Sequence, residues 1–253
     1  MKIGIVTTDG RRLTFAEAIE ECLERGSVDG WPLEAILALQ RQWPKRHASP
    51  SDISSGAYRK VMLQEYVPYY VSLRGAYGLV RGIFLHWGAE RGLADAELPE
   101  EAKLLTELRL TATLPCGLEV AGFVDAYSPS TLALFERKTA SSLKHVPLPS
   151  HVLQAQTYAW LLRENAYPVE AIYLVYYGWY APRTIQLDVW GDERLIAELT
   201  PGALVLQRAI SEHEIPPRSL CNKRLCRYCD VKPTCEELPD EWTHAEATGP
   251  SSV

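Results

Sequence analysis

The sequence lacks a long apolar segment and a phosphate-binding loop. None of its 253 residues falls in a run of eighteen apolar residues, and a membrane-spanning helix needs about twenty, so no membrane partner is expected. The opening residues, MKIGIVTTDGRRL, lack the apolar core of a signal peptide, which predicts a soluble cytoplasmic protein. No G-x-x-x-x-G-K-[ST] loop occurs, so no helicase motor is predicted in this chain.

The overall charge is acidic, but one segment near the C-terminus is basic. A net charge of −6 raises the electrostatic cost of approaching phosphates, which argues mildly against a nucleic-acid partner. A basic patch around the C-terminal cysteines argues the other way, and an ordinary solvated face is an equal alternative. The patch consists of Arg218, Lys223, Arg224, Arg227 and Lys232, with Asp230 among them.

The stretch from Leu118 to Lys138, LEVAGFVDAYSPSTLALFERK, reads as a β-hairpin. Its two arms are β-prone, and Ser128-Pro129-Ser130 supplies the turn. Asp125 lies within the apolar first arm. On the second arm, the period of two puts Glu136 and Lys138 on the same face.

Charges inside an apolar strand are costly unless they are paired or hold a metal. Asp125 and Glu136, brought together across the hairpin, can bind Mg²⁺ or Mn²⁺, and the ammonium of Lys138 can orient or polarise an attacking water. This combination serves phosphodiester hydrolysis. An isolated E-x-K is more often a simple ion pair of Glu136 with Lys138 or Arg137.

Two neighbouring helices add candidate site residues. His86 follows Leu85 in GLVRGIFLHWGAERGL, predicted as a buried helix; its imidazole can serve as a further metal ligand or as a hydrogen-bonded core group. Gln154 and Tyr158 lie one turn apart on a core-facing helix, so they point the same way. They can hydrogen-bond a phosphate, a base or a metal-bound water, or Tyr158 can simply be core.

Four of the six cysteines lie within fifteen residues near the C-terminus. Four thiolates at this spacing can enclose one metal centre, and spacing alone does not separate zinc from an iron–sulfur cluster. Disulfides are disfavoured in a reducing compartment. The ligands would be Cys221, Cys226, Cys229 and Cys235 in the pattern C-x₄-C-x₂-C-x₅-C.

Taken in order, these motifs resemble the CRISPR-associated RecB-like exonuclease family from about Ser49 to Cys235. The resemblance implies an α/β fold of the PD-(D/E)xK, restriction-endonuclease-like type, with a mixed central sheet flanked by helices. It also implies roles for the site: metal binding by His86, Asp125 and Glu136, assistance to the nucleophilic water by Lys138, and DNA positioning by Gln154 and Tyr158.

The same resemblance implies an iron–sulfur cluster held by one early and three late cysteines. The segment SSGAYRKVML, where the early cysteine is expected, has none. Cys221 is the favoured replacement and Cys22 a less favoured one. The expected cofactor is a [4Fe–4S] cluster in preference to [2Fe–2S], with zinc as the alternative, beside Mg²⁺ or Mn²⁺ in the nuclease site.

The implied function is cleavage of single-stranded DNA ends, trimming prospective spacers alongside the CRISPR spacer integrase. The alternatives are the nuclease module of a DNA-repair helicase–nuclease complex and a non-catalytic, zinc-containing DNA-binding or scaffold protein. Four regions are predicted: an N-terminal strand and helix extension (1–48), the nuclease core (49–214), the cysteine-rich cluster segment (215–238) and a disordered tail (239–253).

Overall fold

The structure, a computed structural model, describes residues 1–40, 48–97, 99 and 102–245. These residues form two units, each assembled from more than one segment of the chain, so the bounds of the units differ from those of the four regions predicted from the sequence. The terminal unit is drawn from residues 1–40, 56–83 and 208–245, and the central unit from 48–55 and 84–207.

The described residues form both helices and strands, as expected for an α/β protein. The helices are α1 Phe15–Arg25, α2 Leu33–Gln40, α3 Pro50–Ser55, α4 Tyr58–Tyr66, α5 Leu73–Ala94, α6 Pro149–Glu164, α7 Asp192–Ser211 and α8 Lys232–Glu237. The strands are β1 Lys2–Val6, β2 Arg12–Thr14, β3 Tyr69–Ser72, β4 Leu108–Thr113, β5 Glu119–Val124, β6 Ala126–Ser128, β7 Ala133–Thr139, β8 Ala171–Tyr177, β9 Pro182–Leu187, β10 Glu214–Ile215 and β11 Thr243–His244. No described helix is long and apolar enough to cross a membrane.

The terminal unit contains a three-stranded sheet in the order β2-β1-β3, with β1 antiparallel to β2 and parallel to β3. The sequence Thr14-Phe-Ala-Glu17 predicts a capping box, and helix α1 begins with it, because Thr14 and Glu17 satisfy each other's backbone amides. It ends at Gly26, whose φ of 80° is the left-handed conformation that favours glycine. The sequence also predicts a second helix from Pro32 to Gln42 that ends at Trp43-Pro44, and this predicted end lies outside the described residues.

The last described residues differ from the expectation of a disordered tail from 239. Thr243–His244 form β11, which pairs antiparallel with Glu214–Ile215 of β10. Ala245 also donates its amide hydrogen to the carbonyl of His213. Backbone bonds therefore hold this part of the tail, and its final residues, 246–253, lie outside the described part of the chain.

The central unit is built on a mixed four-stranded sheet in the order β6-β7-β8-β9. Strands β7 and β8 are parallel, and the other two pairs are antiparallel. Alternate residues of β8, namely Ile172, Leu174 and Tyr176, are fully buried, and α6 contacts both β7 and β8. This mixed sheet with its flanking helix confirms the predicted fold class.

The predicted hairpin is correct in its second half and wrong in its first. Strands β6 and β7 form the hairpin, but the apolar run before Asp125 forms β5, which pairs with β4 instead. The first arm breaks at Asp125 because the carboxylate of Asp125 itself accepts the amide hydrogen of Arg137, at 2.7 Å. The Arg137 amide thus donates to a side chain, whereas in a continuous ladder it would donate to a backbone carbonyl of the neighbouring strand.

Candidate active site

Asp125 lies where the chain passes from β5 to β6, and only 7% of the residue is exposed. Its Oδ2 accepts the Arg137 amide hydrogen, and its main-chain carbonyl accepts from the Arg137 guanidinium at 3.3 Å. Its Oδ1 faces Nδ1 of His86 at 3.3 Å. The sheet therefore fixes one carboxylate oxygen and leaves the other directed at the imidazole.

Glu136 is the most deeply buried carboxylate of the site, at 1% exposure on β7. Its Oε1 contacts the Lys138 ammonium at 2.5 Å, while its Oε2 has no hydrogen-bond partner among the described residues. Burial, followed by the negative charge of Asp125, raises the pKa of Glu136 to about 7. A buried carboxylate oxygen without a partner, beside a second carboxylate, fits a cation.

Glu107, immediately before β4, is a site residue that the sequence interpretation missed. One ligand atom each from His86, Glu107 and Asp125 lie within 4.8 Å of one another. Glu107 has a φ of 51°, uncommon for a residue with a side chain. Burial and then the charge of Asp125 raise its pKa. The only signal in the sequence was an acidic residue at the start of the strand before the hairpin. The positive φ that turns Glu107 toward the site cannot be predicted from the sequence.

His86 sits on α5, and the expectation that this helix is buried around it is wrong. The flanking Phe84 and Trp87 are 39% and 38% exposed, and their rings pack against each other at 5.9 Å between centroids. The hydrogen bond to Asp125 raises the pKa of His86, opposed in part by burial. A metal ligand must be a neutral imidazole, so a raised pKa of His86 makes protonation compete with metal binding at this residue.

The Gln154 and Tyr158 side chains meet on α6, as predicted from their spacing. Tyr158 is 8% exposed and hydrogen-bonds Gln154; burial, followed by the charges of Glu136 and Asp125, raises its pKa well above the usual value. The Tyr158 hydroxyl therefore stays protonated, and it lies close enough to both carboxylates for their charges to act on it. The α6 face with the polar groups thus points at the acidic site.

His151 adds a third polar side chain to this face of α6, and sequence reasoning overlooked it. It precedes Gln154 by three residues and Tyr158 by seven, a spacing that keeps all three on one face. Its Nδ1 lies 3.0 Å from the Tyr176 hydroxyl. Burial and then the nearby charge of Lys138 lower its pKa to about 4, so His151 is neutral at pH 7.

A glycine on β5 provides the space in which the Tyr158 ring lies. A Cβ at Gly122 would lie 2.7 Å from Cε1 of Tyr158 and 2.9 Å from Cδ of Pro50. Gly122→Ala is therefore expected to destabilise the fold by about 1–3 kcal/mol through overpacking and to displace Tyr158. Urea unfolding measures the first effect, and the rate of DNA cleavage measures the second.

Gly88→Ala is the matched control for that substitution. Gly88 lies within α5 and nothing surrounds its Cβ position within 4 Å, so alanine there should stabilise the helix by about 0.5–1 kcal/mol. Equal stability of the two variants would contradict the packing of Tyr158 against Gly122.

The buried Glu136 also predicts how stability depends on pH in metal-free protein. The folded state holds a proton on Glu136 up to about pH 7, whereas its ordinary pKa is 4.5, so the folded state binds more protons between these values. The free energy of unfolding should therefore fall, by roughly 1–3 kcal/mol, as the pH rises through this window. Urea midpoints in the presence of a chelator measure it. Glu136→Gln should flatten the decline, and an unchanged slope would contradict it.

The cysteine-rich segment lies in the terminal unit against the start of α4. Sγ of Cys221 accepts the amide hydrogen of Arg59 at 3.3 Å and a second one from Lys60. Sγ of Cys235 accepts from Nε of Arg59 at 3.2 Å. Burial raises the pKa of Cys229 to about 11, and Asp230 adds to the shift. All of these cysteines, including the exposed Cys226, are free thiols.

Arg59 is almost completely buried, at 1% exposure. Its guanidinium also donates to the carbonyls of Pro216 and Pro239, each at 2.8 Å. Among the described residues, no carboxylate pairs with it. A buried cation is costly without an anion, and thiolates around a metal would supply one, with the amide and guanidinium donors acting as their outer hydrogen-bond shell. The donor set therefore fits a metal–thiolate centre.

A mixed sheet that carries a buried aspartate and an E-x-K triplet defines a nuclease of the restriction-endonuclease-like class. The chain matches the PD-(D/E)XK nuclease superfamily over residues 15–236. It belongs to that superfamily.

Solved structures include proteins of similar fold. SSO0001, whose crystal structure is known, is 22% identical in sequence to this chain, and the two structures superpose with a TM-score of 0.53. The match covers 78% of this chain and 88% of SSO0001. A phage-related exonuclease from Haemophilus somnus 129PT is 13% identical, with a TM-score of 0.42, over 70% of this chain and 99% of that one. Among curated proteins, no match to the chain is found. The first similarity supports the fold described above.

Proposed function

We propose that this nuclease is a divalent-metal-dependent deoxyribonuclease that acts on single-stranded DNA ends. The observation that carries the proposal is the unpartnered, buried Oε2 of Glu136, next to Asp125 and on the same strand as Lys138. Buried carboxylates in such a place serve best as ligands for Mg²⁺ or Mn²⁺. His86, Asp125 and Glu136 would hold the ion, and Glu107 would complete the set.

Each side chain has a distinct task in phosphodiester hydrolysis. A divalent ion, when bound, supplies an acidified water and neutralises charge on the phosphate. Lys138 provides an ammonium that can orient the water or meet the developing negative charge. The protonated Tyr158 hydroxyl and Gln154 amide can donate to phosphate oxygens, and the Arg137 amide keeps Asp125 in position.

The single-strand preference and the biological setting rest on the resemblance of the ordered motifs. His86, Asp125, the E-x-K of Glu136 and Lys138, the Gln154/Tyr158 pair and the cysteine segment follow in the order of the CRISPR-associated RecB-like family. We accordingly propose that the enzyme trims prespacer ends in the cytoplasm, with the CRISPR spacer integrase as its partner.

The cysteine segment, 215–238, is proposed to hold an iron–sulfur cluster on Cys221, Cys226, Cys229 and Cys235. Support comes from the four thiols, the hydrogen bonds that reach two of them and the buried cation of Arg59. A [4Fe–4S] cluster is preferred, and zinc is the alternative. The cluster would be structural, because it would tie the C-terminal segment to α4.

The test uses an end-labelled single-stranded oligonucleotide with Mg²⁺, Mn²⁺ or a chelator. We expect cleavage with either metal, none with the chelator, and slower cleavage of blunt duplex. Lys138→Ala should abolish cleavage, while Lys103→Ala, at an exposed position in the same unit, should leave it unchanged. Equal activity of the parent and Lys138→Ala, or activity that survives chelation, would overturn the proposal.

A further inference from the structure

The turn between β8 and β9 exposes two large aromatic side chains. Trp179 is 55% exposed and Tyr180 fully exposed. Exposing aromatic surface of this size to water is unfavourable. A cluster of such exposed rings marks a contact site. The pair follows Tyr177, the last residue of β8, after one intervening residue, Gly178.

The aromatic turn lies at the edge of the sheet where the Glu136-Lys138 strand ends. Thr139 of β7 is paired with Tyr177, and Ala140 donates its amide hydrogen to the Tyr177 carbonyl at 3.1 Å. With about 3.3 Å per strand residue, Trp179 lies within roughly 10 Å of Thr139. A chain reaching Lys138 from this edge therefore passes the aromatic turn.

The loop from 140 to 148 packs against the same turn and adds positive charge. A guanidinium nitrogen of Arg183 donates to the Leu143 carbonyl at 3.1 Å, and the Leu143 side chain would lie 3.1 Å from a Cβ on Gly178. Loop and turn thus form one surface. Lys144 is exposed on this loop.

The loop, the turn and their flanking segments carry positive but no negative side chains. No aspartate or glutamate occurs between Glu136 and Glu164, or between Glu170 and Asp188, in a chain of net charge −6. Exposed aromatic rings together with cations, and without carboxylates, match the stacking faces and phosphates of a single strand. Duplex DNA keeps its bases stacked inside and cannot use the rings in this way.

We propose that Lys144, Trp179, Tyr180 and Arg183, here called the aromatic edge, bind the single-stranded part of the DNA substrate next to the cleaved phosphate. The inference rests on the proposed nuclease function and specifies its substrate contact. Trp179 and Tyr180 stack on unpaired bases. Lys144 and Arg183 contact the phosphates between them.

The test measures binding without cleavage. A fluorescent oligothymidine of about 15 nucleotides is titrated with protein in the presence of a chelator, and fluorescence anisotropy gives Kd. Trp179→Ala combined with Tyr180→Ala should raise Kd about ten- to hundredfold. Lys144→Ala should lower the slope of log Kd against log salt concentration by about 1, because one phosphate contact is lost. Leu204→Ala, which also trims an exposed apolar side chain of the central unit, should change neither quantity.

Two further measurements separate this inference from the nuclease assignment. The double variant should hydrolyse thymidine 5′-(p-nitrophenyl phosphate) with metal as fast as the parent, because that substrate has no flanking bases. Its melting temperature should also match the parent's, since both side chains are exposed. A Kd within twofold of the parent overturns the aromatic edge, even if the enzyme cleaves DNA. Loss of binding in the double variant supports it, even if no cleavage by the parent is found.

Discussion

Asp125→Asn is expected to reduce DNA cleavage by more than about 100-fold, because Asp125 is a proposed metal ligand, and loss of a ligand should exceed the effect of losing a ligand's outer partner. The substitution keeps the shape of the side chain, and an asparagine oxygen can still accept a hydrogen bond from the Arg137 amide nitrogen, which lies 2.7 Å from Oδ2. What disappears is the negative charge that faces His86. Single-turnover cleavage with saturating DNA measures the loss, and calorimetric titration with Mn²⁺ measures the weaker metal binding.

A second readout excludes unfolding as the cause. The Asp125 charge contributes to the raised pKa of Glu136, so its removal should make metal-free protein no less stable at neutral pH. Asp188→Asn, at an exposed position after β9, is the matched control and should cleave normally. Asp125→Asn activity within threefold of the parent would show that Asp125 does not hold the metal.

Arg59→Gln is expected to deplete the metal that we propose for the cysteine segment and to lower the free energy of unfolding by about 3–5 kcal/mol. The substitution removes the guanidinium contacts to Cys235 and to the carbonyls of Pro216 and Pro239. It leaves the two carbonyls and the sulfur of Cys235 with fewer hydrogen-bond donors. Elemental analysis for iron and zinc, the visible absorbance and chemical unfolding measure the two effects.

Two variants control for this change. Arg224→Gln alters an exposed arginine in the same unit and should keep both metal and stability. Arg59→Lys keeps the charge but not the planar fork of donors, so an intermediate metal content is expected. Full metal content in Arg59→Gln would disprove the role of Arg59 as the cation of this centre. Zinc without iron in the parent would favour the zinc alternative.

Local patterns in the sequence predicted the elements that depend on neighbouring residues. The capping box at Thr14, the β6–β7 hairpin and the Gln154/Tyr158 face of α6 all follow from spacings of a few residues. Hydrophobic periodicity and turn chemistry act over the same distances. The α/β fold class was implied by the resemblance of the ordered motifs to a known family.

The features that sequence reasoning missed depend on distant partners. Arg59 looks like an ordinary charge at the start of a helix, but its side-chain contacts lie 157 to 180 residues further along the chain. Glu107 reaches the site through an unusual φ of 51°. The break at Asp125 reflects a choice of strand partner, which only the folded sheet makes.

The contact between Lys138 and Glu136 places a positive charge against the buried carboxylate, which offsets part of the cost of burying it. A divalent ion held by Glu136 would compete with this ammonium for the same carboxylate. Lys138 would then be available to the attacking water and to the phosphate.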